Sequence, residues 1–303
     1  MSTLLEVRNV SKSFPIGGVL SGREARAVAD ASFSVGEAGP EIFTIIGESG
    51  SGKTTLARMI LGLERPTSGD IVFEGRPVTH ANRSERLAFM AKVQPVFQNP
   101  FEAFNPLKQV DRYLASTARQ FLKLSDKAAI EAAMDEALQK VGLSLVEIRG
   151  RYPHELSGGQ LQRVAIARAL IPNPALLIAD EPVSMVDASL RMAIVNLLRE
   201  LRDRMGVCVI YITHDLATAY YISDRLMIMQ RGRIVEMGPA RAILDAPEHP
   251  YSRLLKASVL SPETMGDDSL ALQADLIAAS EAALAAPDSG LTPGSDGRLL
   301  RRA

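Results

Sequence analysis

Three short stretches of this 303-residue chain carry residue types suited to work on a phosphorylated ligand. The first is Gly47-Glu48-Ser49-Gly50-Ser51-Gly52-Lys53-Thr54-Thr55. Gly47, Gly50 and Gly52 let backbone N–H groups converge on phosphate oxygens, and a helix starting there points its positive end at the same place. Lys53 supplies a point charge for the β- and γ-phosphates, and the Thr54 hydroxyl suits Mg2+. The second stretch, Ala175 to Ala179 followed by Asp180 and Glu181, is an apolar strand ending in two acids. Asp180 suits the Mg2+ shell, and Glu181, one residue past the strand, suits a general base acting on water. Taken alone, solvated acids at a strand end are the alternative. The third stretch is Leu156-Ser157-Gly158-Gly159-Gln160. Ser157 has the form of an N-cap, and the glycines strip side chains from a positive helix end so that it can lie against an anion.

Two further side chains fit this chemistry. His214 follows the apolar run Val209 to Thr213, where its imidazole could contact a γ-phosphate or orient Glu181 and water. Gln98, in Val96-Phe97-Gln98-Asn99-Pro100, has an amide that can ligate Mg2+; a surface glutamine is the competing reading.

These groups need positioning elements. Leu4 to Val10 and Ala27 to Val35 read as strands, and Ile42 to Ile46 reads as a short strand buried in a parallel sheet. It runs into the glycine loop, and a helix continues from near Gly52 through Ile60. Gly69 to Gly75 reads as a strand. From about Asn99 to Pro153 the apolar spacing is helical, with Ser125 as N-cap for Asp126 to Val141 and Gly142 as its stop. Strands at Leu176 to Ala179 and Val207 to Ile212 flank a helical stretch, Leu190 to Arg204, which implies right-handed crossovers in a parallel sheet. After about Ser261 the composition shifts. Leu270 to Ala286 is alanine-rich and could form a helix. Pro287 to Gly297 reads as disordered or a loose linker, and the basic end Arg298 to Arg302 as a solvated tail, contact with a phospholipid surface being the alternative.

Composition sets bounds. A hydrophobic share of 47% suffices for a sizeable core, and a formal net charge of -1 gives no case for nucleic-acid binding. One cysteine, Cys208, excludes an intramolecular disulfide or a four-cysteine cluster; its apolar surroundings make it a small buried hydrophobe. Residues Met1 to Arg8 lack a signal-peptide pattern. No stretch reaches the ~18 apolar residues a membrane helix needs.

The ordered set of motifs, from roughly Leu4 to Leu260, resembles the ATP-binding cassette (ABC) ATPases. That resemblance implies an α/β P-loop NTPase core with an antiparallel β subdomain and an inserted helical subdomain. The nucleotide-binding domain would span 4–260, the helical part about 99–170, and an alanine-rich, partly disordered tail 261–303. It implies ATP and Mg2+ as cofactors. Phe14 matches the family's aromatic that stacks on adenine, a core aromatic being the alternative. Asp187, in Ser184-Met185-Val186-Asp187, matches the loop that crosses the dimer interface. In the family two copies close head to tail around two ATP molecules, and the helix opened by Ser157 contacts the γ-phosphate held by the opposite copy.

Finer features look like the importers of dipeptides, oligopeptides and nickel: the long first hairpin loop near Ile16 to Arg26, Pro95 to Pro106, and His249-Pro250-Tyr251-Ser252-Arg253-Leu254-Leu255. They imply the ATP-hydrolysing subunit of a bacterial importer for peptides, oligosaccharides, opines or nickel, at the cytoplasmic face of the inner membrane. The implied partners are two transmembrane permeases, a second ATPase copy (identical or paralogous) and, indirectly, an extracytoplasmic solute-binding protein. A soluble ABC-type ATPase of an enzyme complex, like the nucleotide-binding component of carbon–phosphorus lyase, is the alternative.

Overall fold

A computed structural model describes residues 3–17, 23–79, 82–184, 186–260, 267–286 and 290–301. The first half of the chain contains β1 (Leu5–Ile16), β2 (Arg23–Val35), β3 (Ile42–Ile46), α1 (Lys53–Ile60), β4 (Ser68–Phe73), β5 (Arg76–Pro77), α2 (Arg83–Lys92) and β6 (Val93–Val96). An insert of helices follows: α3 (Val110–Leu122), α4 (Lys127–Gln139), α5 (Leu145–Ile148) and α6 (Gly158–Leu170). Next come β7 (Leu176–Asp180), α7 (Ala188–Met205), β8 (Cys208–Thr213), α8 (Leu216–Ile222), β9 (Arg225–Gln230), β10 (Arg233–Pro239), α9 (Ala240–Asp245) and α10 (Pro250–Leu260). The chain closes with α11 (Asp267–Ala285), β11 (Leu291–Pro293) and β12 (Leu299–Arg301).

Two sheets result. The smaller is antiparallel in the order β2-β1-β4-β5, and its hairpin runs beyond the expected ends, pairing Lys12 with Val28 and Phe14 with Ala25. The larger has the order β11-β12-β10-β9-β3-β8-β7-β6, parallel from β9 to β6. Every residue of β3 and β8 is buried, as a parallel strand covered on both faces requires. β6 escapes a reading by pattern because Pro95 interrupts it; it occupies the sheet's edge, where a missing N–H removes no ladder bond.

Leu114, Ile130, Leu138, Leu161 and Val164 of the insert bury together with Ile42 and Tyr211 of the sheet in one continuous core. The insert is therefore anchored through α6 to one sheet face. The cap of α4 is Asp126, whose carboxylate accepts the Ala129 N–H at 2.9 Å, and not the expected Ser125. Both residues are good caps, and the one three positions before an unpaired N–H is used.

The end of the chain departs furthest from expectation. The alanine-rich stretch is helical, and α11 packs on α10, with Ser280 Oγ accepting from Gln230 Nε2 of β9 at 2.8 Å. Residues 290–297, expected as a loose linker, form β11 and a 3₁₀ turn, while residues 287–289 lie outside the described set. The basic end is not a solvated tail through Arg301: β12 adds to β10 antiparallel, and Arg298 is only 2% exposed. The glycine, proline and serine content signalled low order, but the unpaired edge of β10 and the carboxylate of Glu236 supply partners from distant sequence.

Candidate functional site

The glycine loop connects β3 to α1. Gly52 has a φ of 101°, and a Cβ there would lie 2.2 Å from the Ala27 carbonyl oxygen, so the loop is pressed against β2 and only glycine fits. On its other flank, the Gly232 N–H at the β9–β10 turn donates to the Ser51 carbonyl at 3.0 Å. Lys53 folds back over the loop, its Nζ donating to the Gly47 and Glu48 carbonyls at 2.7 Å each. Burial pushes the ammonium below the ordinary lysine range, opposed by the charges of Glu181, Asp180 and Glu48. A buried cation held by loop carbonyls at the start of a helix suits an anion, which would offer it stronger acceptors.

The two acids sit differently. Asp180 ends β7, hydrogen-bonds to Thr54, and is pushed above the usual carboxylate range by burial. Glu181 turns off the strand with a φ of 45°, a conformation that costs a residue with a Cβ of order 1–3 kcal/mol. It is held there because its N–H donates to the Ile212 carbonyl of β8 at 2.9 Å. Its carboxylate lies between two groups: Gln98 Nε2 donates to one oxygen at 2.9 Å, and His214 Nδ1 is 3.2 Å from the other. Asp215 fixes the histidine's segment by accepting the Ala217 and Thr218 N–H groups at the start of α8. Gln98 is exposed at the surface, and its amide is bonded to Glu181. Thr54, Gln98 and Asp180 line one cavity of about 230 Å3.

The remaining expected residues lie elsewhere. Ser157 caps α6, its Oγ accepting the Gln160 N–H at 3.2 Å while Gln160 Oε1 accepts the Ser157 N–H at 3.0 Å. Gly159 has a use inside the chain: a Cβ there would be 2.5 Å from Leu190 Cδ1 of α7, so this glycine admits a neighbouring helix as well as baring a helix end. Asp187 precedes α7 and is exposed, with no side-chain bond to the helix it opens. Phe14 is 38% exposed, which removes the core reading, and Lys12 Nζ stands 4.9 Å from its ring centre. Sequence reasoning passed over one contact. The Tyr251 hydroxyl accepts the Glu48 N–H at 3.0 Å; His249-Pro250-Tyr251 had signalled a motif without a partner.

A family model described as ABC transporter matches residues 28–184, which takes in the glycine loop, Gln98, the Ser157 helix and both acids. This chain is an ABC transporter ATPase. A probable peptide ABC transporter ATP-binding protein of Sinorhizobium fredii is 41% identical, covering 86% of this chain and 73% of the relative. An oligopeptide transport ATP-binding protein of Streptococcus mutans is 38% identical (86% and 82%). A nickel import ATP-binding protein of Rhodospirillum rubrum is 39% identical (88% and 97%). A dimeric ATP-binding cassette solved in a post-hydrolysis state with ADP and Pi superposes at a TM-score of 0.69, with 27% identity over 78% of this chain and 99% of that one. The ABC ATPase thus binds and hydrolyses ATP on the mixed sheet described above. Among the described residues no helix is long and apolar enough to cross a membrane.

Proposed function

We propose that this ABC ATPase drives a bacterial importer of peptides or a related solute, as a peripheral subunit on the cytoplasmic face of the inner membrane. The observation that carries the catalytic part is the Glu181 carboxylate, fixed at a strained strand end between Gln98 and His214 and beside Lys53. In this reading the loop from Gly47 to Thr55 and Lys53 hold the β- and γ-phosphates, and Phe14 stacks on adenine. Glu181 takes the proton of the attacking water. His214 orients that carboxylate, and Gln98 links it to the insert.

The all-oxygen set of the Thr54 hydroxyl, the Asp180 carboxylate and the Gln98 amide, lining one cavity, fits Mg2+. When bound, the ion supplies positive charge to the phosphate oxygens. Ser157 and Gln160 bond to each other at the start of their own helix. With Gly158 and Gly159 they would present its positive end to the γ-phosphate held by a second copy, across an interface that Asp187 would line. Loss of that phosphate loosens the pair.

Transport is supported by the peptide and nickel import relatives and by an apolar surface beside Gln98. Phe97, Phe101 and Leu107 are 43%, 47% and 83% exposed, a surface suited to an apolar partner such as a permease segment. The test is purification of the tagged chain from detergent-solubilised native membranes, with mass spectrometry of its companions. Two polytopic permeases support the importer. A set of soluble enzymes without a membrane protein moves the chain to the soluble-complex alternative.

A further inference from the structure

Arg298 stands at the far end of the chain from the glycine loop, yet one series of contacts joins them. Its guanidinium is 2% exposed and lies 3.3 Å from a carboxylate oxygen of Glu236, which is itself 0% exposed. The same guanidinium donates to the Ala246 and Ala242 carbonyls around the end of α9, at 2.6 and 3.2 Å. Space is made for it: a Cβ on Gly238 would lie 2.9 Å from Arg298 Cα, and one on Gly294 would lie 2.9 Å from Arg298 Cγ. A carboxylate as buried as Glu236 is tolerable only when paired and hydrogen-bonded.

Glu236 in turn accepts the Glu248 and His249 N–H groups at 3.1 and 3.2 Å, just ahead of α10, where a negative charge suits the helix's positive end. His249 Nδ1 accepts the Tyr251 N–H at 3.1 Å, which requires a neutral acceptor nitrogen. Tyr251 is fully buried, and its hydroxyl accepts the Glu48 N–H at 3.0 Å while also bonding the Glu48 carboxylate. The carbonyl of that same Glu48 accepts from Lys53 Nζ and from the Ser51 N–H. Tyr251 thus grips the second residue of the phosphate loop from outside, while Lys53 grips it from within.

We infer that Tyr251 is a positioning residue for the phosphate loop and that the C-terminal strand β12 sets it, through Arg298 and Glu236, so that the end of this chain tunes ATP affinity. The inference rests on the phosphate-loop reading of residues 47–55, and it adds a role for the tail that this reading leaves without one. Removal of Arg298 leaves the Glu236 carboxylate buried without its counter-charge. It must then draw in water or turn outward, releasing the N–H groups that fix the start of α10 and hence the Tyr251 hydroxyl.

The test uses the full chain and Mg-ATP, with affinity by isothermal titration calorimetry, KM and kcat by phosphate release, and Tm by thermal melting. Tyr251→Phe removes one hydroxyl and keeps the ring. It should weaken ATP binding and raise KM by about three- to tenfold, the range of one neutral hydrogen bond, with kcat at saturating ATP unchanged. Arg298→Met should weaken ATP binding by a similar factor. Arg298→Met with Glu236→Gln, which removes the buried charge, should recover most of it. The double variant Arg298→Met/Tyr251→Phe should bind no more weakly than the worse single variant, since both act through one contact.

Fully multiplicative losses in that double variant would overturn the inference. So would a lowered Tm for Arg298→Met with wild-type ATP affinity, because that is what a purely structural tail gives. If Arg298→Met does not fold, Tyr251→Phe and Arg298→Lys decide. Arg298→Lys keeps the charge but loses the fork and should fall between wild type and the Tyr251→Phe value; wild-type affinity in both overturns the inference. Binding of ATP by the wild-type chain is the separate check on the phosphate loop itself.

Discussion

The imidazole of His214 lies 3.2 Å from the carboxylate of Glu181, although thirty-three residues separate them in the chain. Two neighbouring parallel strands produce this approach: β7 and β8 pair Asp180 with Ile212, so the residues just beyond both carboxyl ends face the same side. With Gln98 on the other oxygen, the Glu181 carboxylate has one orientation. Replacement of Glu181 by Gln keeps the size and the Gln98 contact but removes the basic oxygen. Turnover should fall by roughly 10²- to 10⁴-fold while ATP still binds within a few-fold of wild type. Single-turnover hydrolysis together with nucleotide affinity measures both, and near-normal hydrolysis would remove Glu181 from the base role.

Lys53 is buried, its ammonium pushed down by desolvation, and among the described residues it bonds loop atoms, the Gly47 and Glu48 carbonyls and the Ser51 hydroxyl. Phosphate oxygens are stronger acceptors than these carbonyls, so nucleotide binding exchanges neutral acceptors for charged ones. Lys53→Ala should weaken ATP binding by ~1.5–3 kcal/mol, or roughly ten- to 150-fold. Unchanged affinity in a calorimetric titration would count against the assignment.

The parts of the site that were legible in the sequence are those built from contiguous residues. The glycine loop, the acids after β7 and the cap at Ser157 each sit within a few positions, and their geometry follows from local rules for glycine, strand ends and helix starts. The approach of His214 to Glu181 was legible because both follow apolar strands at their carboxyl ends. The bond from Gln98 to Glu181 was not, because only the edge placement of β6 beside β7 brings Gln98 there. Tyr251 was legible as part of a motif but not as a contact. Its contact with Glu48 spans 203 residues and depends on α10 being fixed by Glu236, which no local pattern announces. The tail was misjudged for the same reason. Glycine and proline mark loops when nothing distant pairs with them, and here β10 and Glu236 do.

His249 is 4% exposed, and burial, with Arg301 nearby, pushes its imidazole down from 6.5 to about 4. The ring faces Arg301, while Glu236 holds the backbone N–H of the same residue. The unfolded chain takes up a proton at this histidine below pH ~6.5 and the folded chain only below about 4, so the unfolded state binds more protons in between. Its share of stability is full above ~6.5 and is lost as pH falls towards 4, on the order of 3 kcal/mol in all. Urea melts at pH 5 and 7.5 should therefore separate more for the wild type than for His249→Gln, whose amide accepts the Tyr251 N–H without titrating. Equal separations would show that the ring does not carry this pH dependence.

The hydrogen bonds of Ser157 and Gln160 turn inward to the start of α6, while Gly159 is packed on Leu190 of α7. Under the proposed function two different roles share this short stretch. One is structural: in Gly159→Ala the added methyl meets only the tip of the Leu190 side chain, which can turn aside, and alanine adds up to about 1 kcal/mol of helix propensity. Stability should therefore stay within about 1 kcal/mol of wild type while showing coupling of about 0.5 kcal/mol or more with Leu190→Ala. The other, as proposed, would require a second copy. Ser157 is exposed, so Ser157→Arg loses the cap, about 1 kcal/mol, yet leaves the phosphate loop and its lysine untouched. ATP affinity at dilutions where the chain is monomeric should stay within a few-fold of wild type. Hydrolysis that rises with the square of protein concentration in the wild type should vanish in the variant, because a bulky cation then sits where the partner's γ-phosphate must approach the helix end. Wild type and Ser157→Arg mixed with Lys53→Ala chains separate the two sides of the interface. A wild-type dose that remains first order in protein, with Ser157→Arg hydrolysing at the same rate, would place the whole reaction within one chain.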